Sequence, residues 1–388
     1  MNRARFSVFA ASFLAGLGVV VYPASGTLLR SVHPLSDVEW GGLFIAHMVG
    51  VVAGSAWGAR TESFRSGLAA IASSAGFAVA LWLVPSPWAS TLLWLGAGTA
   101  GLGFGLLAGP LNALPALLYP ERPEGALIAL HTVQGLGFAS GPIAVAWLGD
   151  SWPVLPSVVA LAAAGVLQVA RIPSMGQTVR TSVEPKALLP FVAVVLLYAV
   201  VEGTFVSWAP IYLNEDRGVR PSTAVFAISM FWGGMLLGRG LFAASIGRLG
   251  PRRTWLGLPL MMALVLLLLP AASGALSGLL LFAAAGVSCS AFLPLTLAFA
   301  TKRFAGRESA VASVLIATLS VGIGTGSFLL GTLRDLASFD LLYRLSALFA
   351  LLVWVILVSQ RTLFASPANE SGGHVVEPGI RMTKRLKQ

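Results

Sequence analysis

Leu136-Gly137-Phe138-Ala139-Ser140-Gly141-Pro142 and Val321-Gly322-Ile323-Gly324-Thr325-Gly326-Ser327 carry one glycine pattern twice, 185 residues apart. The correspondence extends outward. A shift of 184 or 185 residues lays Gly18 on Gly203, Pro110 on Pro294, Glu124 on Glu308 and Asp150 on Asp335. Each window lies in an apolar run of the length that crosses a bilayer core, about 20 residues. A repeat holding several such runs predicts two halves in the same orientation, related by an axis along the membrane normal. The expected fold is an all-α polytopic membrane protein: twelve transmembrane helices as two six-helix repeats around a central cavity.

Composition agrees. Of the 388 residues 56% are hydrophobic and only 10% charged, against about 25% charged in soluble domains. Spans are expected at 6–29, 40–59, 66–85, 90–118, 124–149, 153–172, 187–213, 222–244, 253–271, 275–301, 308–333 and 340–363. The first run is too long for the core of a secretory signal and reads as a retained span. The domains follow: an N-terminal bundle over 1–172, a polar cytoplasmic linker at 173–186, a C-terminal bundle over 187–363 and a basic tail, 364–388, expected to be disordered.

With evenly spaced spans, 20 of the 25 Lys and Arg fall on the side of both termini; the other side holds Arg30, Arg217, Arg220, Arg334 and Arg344. The positive-inside rule then puts both termini in the cytoplasm of a multi-pass protein of the cytoplasmic (inner) membrane. This bias accounts for the net charge of +10 without nucleic acid, and the basic tail is placed to meet membrane lipid. A single cysteine, Cys289, excludes an internal disulfide and supplies no metal motif. Neither a Walker-type phosphate loop nor a nucleophile–base pair is visible. No cofactor, no metal and no enzymatic activity are expected, and the chain is expected to act as a monomer.

The candidate site starts from Glu202, the one carboxylate deep inside an apolar run. Such a group costs roughly 2.5–3.5 kcal/mol at mid-membrane on insertion scales. At 1.5 Å per residue it lies roughly 16 Å from the end of its span. Tyr198, Glu202, Phe205, Ala209 and Tyr212 share one helical stripe, with Trp208 at its edge. An acid among aromatics can hold a polar organic solute, rings stacking on its apolar patches while few polar groups orient it. In span 4, Gly101, Gly105 and Gly109 recur every four residues, so another backbone can approach; Asn112 lies about 20° from Gly101 on the helix wheel and points toward protein or cavity. In span 5, Gly137 and Gly141 form a packing face, while His131, Gly135, Phe138 and Pro142 define a stripe roughly 100° away, flanked by Gln134, that offers polar groups. Tyr22 in span 1 completes the candidates for solute binding.

Two further patterns concern loops and lineage. Ile246-Gly247-Arg248-Leu249-Gly250-Pro251-Arg252-Arg253 makes a tight basic turn after span 8, with a weaker counterpart at Gly54–Arg60. Both resemble the Gly-x-x-x-Asp-Arg-x-Gly-Arg-Arg loop of the major facilitator superfamily, with Gly247 and Gly58 near the acidic position. Asn112, the segment His131 to Pro142, Glu202-x5-Trp208-x3-Tyr212 and Phe231-Trp232-Gly233-Gly234-Met235-Leu236-Leu237-Gly238-Arg239 together resemble its fucose–galactose–glucose/proton symporter-like branch. The resemblance implies a proton-coupled carrier of sugars or similar small polar solutes, with Asn112, His131, Glu202 and Trp208 in its cavity. Such symporters carry acids in spans 1 and 4, where this chain has Gly16, Gly18, Tyr22 and Thr27, and Asn112.

The expected function is secondary active transport of a small-molecule solute by alternating access, with protons as the coupling ion at Glu202. The rival expectations are a proton-driven exporter of amphipathic compounds and a non-transporting membrane sensor or assembly factor on the same fold.

Overall fold

The computed structural model describes residues 2–57, 63–83, 86–121, 123–170, 185–305 and 307–359. The expected tail, most of the linker and the turn at Gly58–Arg60 lie outside the described residues. The first half comprises α1 (Asn2–Ala24), α2 (Asp37–Trp57), α3 (Ser63–Leu83), α4 (Ala89–Leu118), α5 (Pro123–Leu148) and α6 (Val154–Val169). The second comprises α7 (Pro185–Ser207), α8 (Phe226–Leu249), α9 (Pro251–Leu268), α10 (Ala275–Cys289, resumed as Phe292–Arg303), α11 (Glu308–Leu333) and α12 (Phe339–Ser359).

Eleven of these are long and apolar enough to cross a membrane. The sixth is shorter than expected, with 16 residues, or about 24 Å of helix. Large apolar side chains stay exposed around the bundle, including Trp147, Leu161, Leu276 and Leu348. Lipid solvates such a surface and water does not. The chain is a multi-pass membrane protein.

Helix pairing repeats between the halves. Helices α1 and α5 pack as α7 and α11 do, α2 and α4 as α8 and α10, α3 and α6 as α9 and α12. Advancing by six helices therefore maps one bundle onto the other. The two most extensive joins between the halves are α2 with α11 and α5 with α8, and the same operation exchanges them. This is the two-repeat arrangement expected from the glycine windows.

Small residues bring these pairs together. A methyl group added at Gly101 or Gly105 would strike the carbonyl oxygens of His47 or Val51 on α2. Gly109 is exposed, so the stripe packs over its first two members only. Gly137 lies against Phe13 on α1, and Gly322 within contact of Leu196 on α7. In lipid no hydrophobic force draws helices together, so this close van der Waals fit supplies the association. Gly16 meets the Gln134 carbonyl on α5 as Gly203 meets that of Ile323 on α11, whereas Gly18 faces Ile71 of α3. The packing equivalent of Gly203 is thus Gly16.

Helix ends are locally specified. Gly250 has φ +79° and ψ 137°, a conformation that glycine adopts without strain. Pro251 then opens α9 at a position where its missing N–H is not needed. Span 7 does not run unbroken to Leu213 as expected. It ends at Ser207, Trp208 takes φ −114° and ψ 0°, and Tyr212–Asp216 form one π-helical turn. Span 1 breaks likewise at Ser25, φ −81° and ψ 4°, before the short helix Gly26–Val32. The end that holds Asn2 is called the near end below, and the one that holds Val32 the far end.

Candidate functional site

The halves are sealed together at the far end. Gly41 of α2 lies against Phe328 of α11, Gly324 against Met48, and Gly331 against the Asp37 carbonyl. Above this contact sits an ionic network. Arg30 Nη1 donates to Asp37 Oδ1 at 2.7 Å, and its Nε lies 3.6 Å from Glu215 Oε1. Arg334 Nη2 reaches Asp216 at 2.7 Å and Glu215 at 3.9 Å, while Arg217 pairs with Asp340. Arg30 and Asp37 belong to the first half and the rest to the second, so Glu215 joins the two. Burial raises the Glu215 carboxyl above its ordinary range, with Arg30 pulling it back, and raises Asp216 likewise against the pull of Arg334. Loop counting assigns the arginines to this side, without the acids that neutralise them.

Toward the near end of the bundle, the sequence-predicted polar residues of α4 and α5 meet. Asn112 Nδ2 donates to the Ala108 carbonyl at 2.8 Å, which turns Oδ1 toward His131. His131 Nε2 stands 3.2 Å from that oxygen and Nδ1 3.4 Å from Gln134 Oε1. Because Asn112 is fixed by its own donor, Nε2 must carry the hydrogen. A neutral ring then leaves Nδ1 as an acceptor, which Gln134 satisfies with its NH2 turned inward; an imidazolium satisfies Gln134 as placed. Asn112 is exposed and His131 and Gln134 half-buried, so all three can reach a guest.

Across from them, α8 brings residues that the sequence reading did not single out as a site. Trp232 stacks on Phe138 with ring centroids 4.4 Å apart, and Leu236 fills the space beside Gly135. Carrying this antiparallel register one turn toward the near end sets His131 opposite Arg239. The electrostatic influence of Arg239 on His131 agrees with that placement. Loop counting grouped Arg239 with the near-end charges, yet it lies inside α8. Its spacing of seven from Trp232, which puts both on one face, was the available signal.

Glu202 is buried, 5% exposed. It interacts with the Tyr198 side chain one turn earlier and feels the charge of Arg239. The Tyr198 hydroxyl donates to the Cys289 carbonyl at 3.1 Å. A phenol has one hydrogen to donate. That hydrogen is committed to the Cys289 carbonyl.

The remaining sequence-predicted residues have their polar atoms engaged within one half. Trp208 is fully buried and donates to the Ser327 carbonyl at 2.9 Å. Tyr212 donates toward Leu269 at 3.0 Å and lies beside Asp340 in the far-end network. Tyr22 donates to the Ser74 carbonyl at 2.6 Å, between α1 and α3. None of the three adjoins the Asn112–His131–Gln134 cluster through a hydrogen bond among the described residues.

The fold is similar to solved structures over nearly all of its length. A POT family transporter in complex with 5-aminolevulinic acid aligns with TM-score 0.76 at 12% identity, over 94% of this chain and 97% of that one. A mutant form of the nucleoside transporter NupG gives 0.74 at 13%, over 92% and 100%. The xylose transporter XylE from E. coli, in an inward open conformation, gives 0.72 at 15%, over 91% and 95%. Among curated proteins none matches the sequence. The sequence profile of the Major Facilitator Superfamily matches residues 190–385, half of the chain. This chain is therefore a member of the Major Facilitator Superfamily.

Proposed function

We propose that this protein is a secondary active transporter that moves a small polar organic solute, a sugar or a compound of similar size, by alternating access coupled to protons. The observation that carries the reading is the position of the polar cluster. Asn112, His131 and Gln134 of the first half and Glu202 of the second lie within the spans of a bundle whose halves touch through two symmetry-exchanged helix pairs. Rocking about those pairs, with 1–172 and 187–363 as the moving bodies, exposes the cluster to each side in turn. In the proposed orientation both termini are cytoplasmic and the far end is the outer one. The described conformation is then closed outward.

Asn112, His131 and Gln134 hydrogen-bond the solute in this reading. Glu202 carries the proton, with Tyr198 as its sensor: the neutral acid leaves the Tyr198–Cys289 bond intact, and ionisation draws the hydroxyl away. Trp208, Tyr212 and Tyr22 support the helices that carry these groups. Similarity in fold to sugar, nucleoside and peptide transporters supports the class of activity, and the branch-like motifs support the sugar-like substrate. The test is proton uptake driven by a solute gradient in proteoliposomes. Glu202→Gln is expected to abolish the proton signal while binding persists. Unchanged proton movement in that variant refutes the coupling role.

A further inference from the structure

Helix α8 carries a positive charge within its span that the transport reading above does not use. Arg239 lies four residues past the midpoint of the span Pro221–Leu249, about 6 Å along a helix rising 1.5 Å per residue. A guanidinium at that depth is costly and marks a functional position, with a partner to be named. Yet among the described residues no carboxylate lies within ion-pair distance of it. Its one hydrogen-bond contact is Nη2 to Met235 Sδ at 3.5 Å, a weak acceptor on its own helix. The face of α8 that packs on α10 is a different one, marked by Gly234 against Ala283 and Gly238 against Ser290. Arg239 stays exposed, on the face that looks across to α5.

The neighbours of Arg239 make no ion pair with it among the described residues. His131, opposite, carries no negative charge. Glu202 is buried and feels the charge of Arg239 without an ion pair to it among the described residues. Trp232, seven residues earlier on the same face, has a buried indole N–H without a partner among the described residues. Two donors on α8 thus lie on the face that packs on α5, the helix that carries His131 and Gln134.

We infer that Arg239 is an anion-binding site of the cavity and that the transported solute carries a carboxylate at one end and hydroxyl or similar polar groups at the other. The planar fork of a guanidinium matches a carboxylate in two parallel hydrogen bonds. Asn112 and Gln134 then take the polar end with amides that both donate and accept. A sugar acid has this form and a neutral sugar does not, and a lipophilic cation is repelled. That the bound acid is also carried rests on the transport reading, but the binding site stands by itself.

The test uses the purified full chain in nanodiscs and reads thermal stabilisation and affinity. Glucuronate, gluconate and lactate are compared with glucose and with the methyl esters of the three acids, in the wild type, Arg239→Gln and Arg239→Lys. At least one of the three acids is expected to stabilise the wild type while its ester does not. Arg239→Gln is expected to weaken that acid by about 10- to 100-fold, as loss of a charged hydrogen-bond partner does, and Arg239→Lys by less. The lysine variant controls for folding. The inference is overturned by no stabilisation from any of the acids, by an ester that binds as tightly as its acid, or by Arg239→Gln binding like the wild type. Flux in proteoliposomes separates the two readings. Arg239-dependent binding without flux of the acid keeps the anion site and refutes transport; flux of glucose untouched by Arg239→Gln keeps transport and refutes the anion site.

Discussion

Replacing Glu215 by Gln removes the one ionic link between the halves in the far-end network while leaving no buried charge stranded. Arg30 keeps Asp37 at 2.7 Å and Arg334 keeps Asp216 at 2.7 Å. The lost contact is 3.6 Å long, between side chains 18% and 35% exposed. Coulomb attraction at that distance is about 1 kcal/mol at the dielectric constant of water and several times that at an effective value of 20. Desolvation and side-chain ordering offset most of it, and measured exposed pairs fall at about 0.2–1 kcal/mol. We take about 1 kcal/mol, roughly a fivefold shift of the closed–open equilibrium toward an open far end. Phe328→Cys in a Cys289→Ala background reports this, because the half-buried Phe328 packs on Gly41 across the join between the halves. Maleimide labelling in Glu215→Gln is expected to rise by that factor. Arg30→Gln added to Glu215→Gln is expected to add less than it does alone, since the pair acts together. Unchanged labelling, or strictly additive effects, would refute the assignment of Glu215 as the link.

Two other outcomes follow from contacts described above. Gly101→Val forces side-chain atoms into the His47 carbonyl; overpacking of this kind costs about 1–3 kcal/mol, to be read as a lower unfolding temperature in detergent. Trp208→Phe deletes the donor to the Ser327 carbonyl and is expected to cost about 1 kcal/mol of stability, with solute affinity unchanged in a binding assay.

Much of the architecture was legible because membrane physics leaves few choices. Spans of fixed length, glycines at four-residue spacing and one repeat were enough to anticipate the two bundles and the contacts made by Gly101, Gly137 and Gly322. Asn112, His131 and Gln134 could be grouped because helical periodicity reports which face a residue occupies. The stripe through Trp208 and Tyr212 was harder. Periodicity assumes an unbroken helix, and the break at Trp208 reorients everything after it. Periodicity also cannot say whether an aromatic stripe meets a cavity or a neighbouring helix. Arg239 was concealed by the opposite assumption, that an arginine toward the end of a span belongs to the loop. The far-end network joins residues more than 100 positions apart, as with Arg334 and Asp216, and no local pattern announces such pairings.

The two joins between the halves differ in kind. That of α2 with α11 is capped by charges, whereas that of α5 with α8 rests on Phe138 against Trp232. Dissolved ions weaken the first and hardly touch the second, because screening shortens to about 3 Å at 1 M salt while ring stacking carries no net charge. Ionic strength therefore tilts the resting position of the carrier through one side of the bundle only. In brine the charged side loosens first and the aromatic side becomes the pivot; in dilute medium both hold, and the far end stays shut.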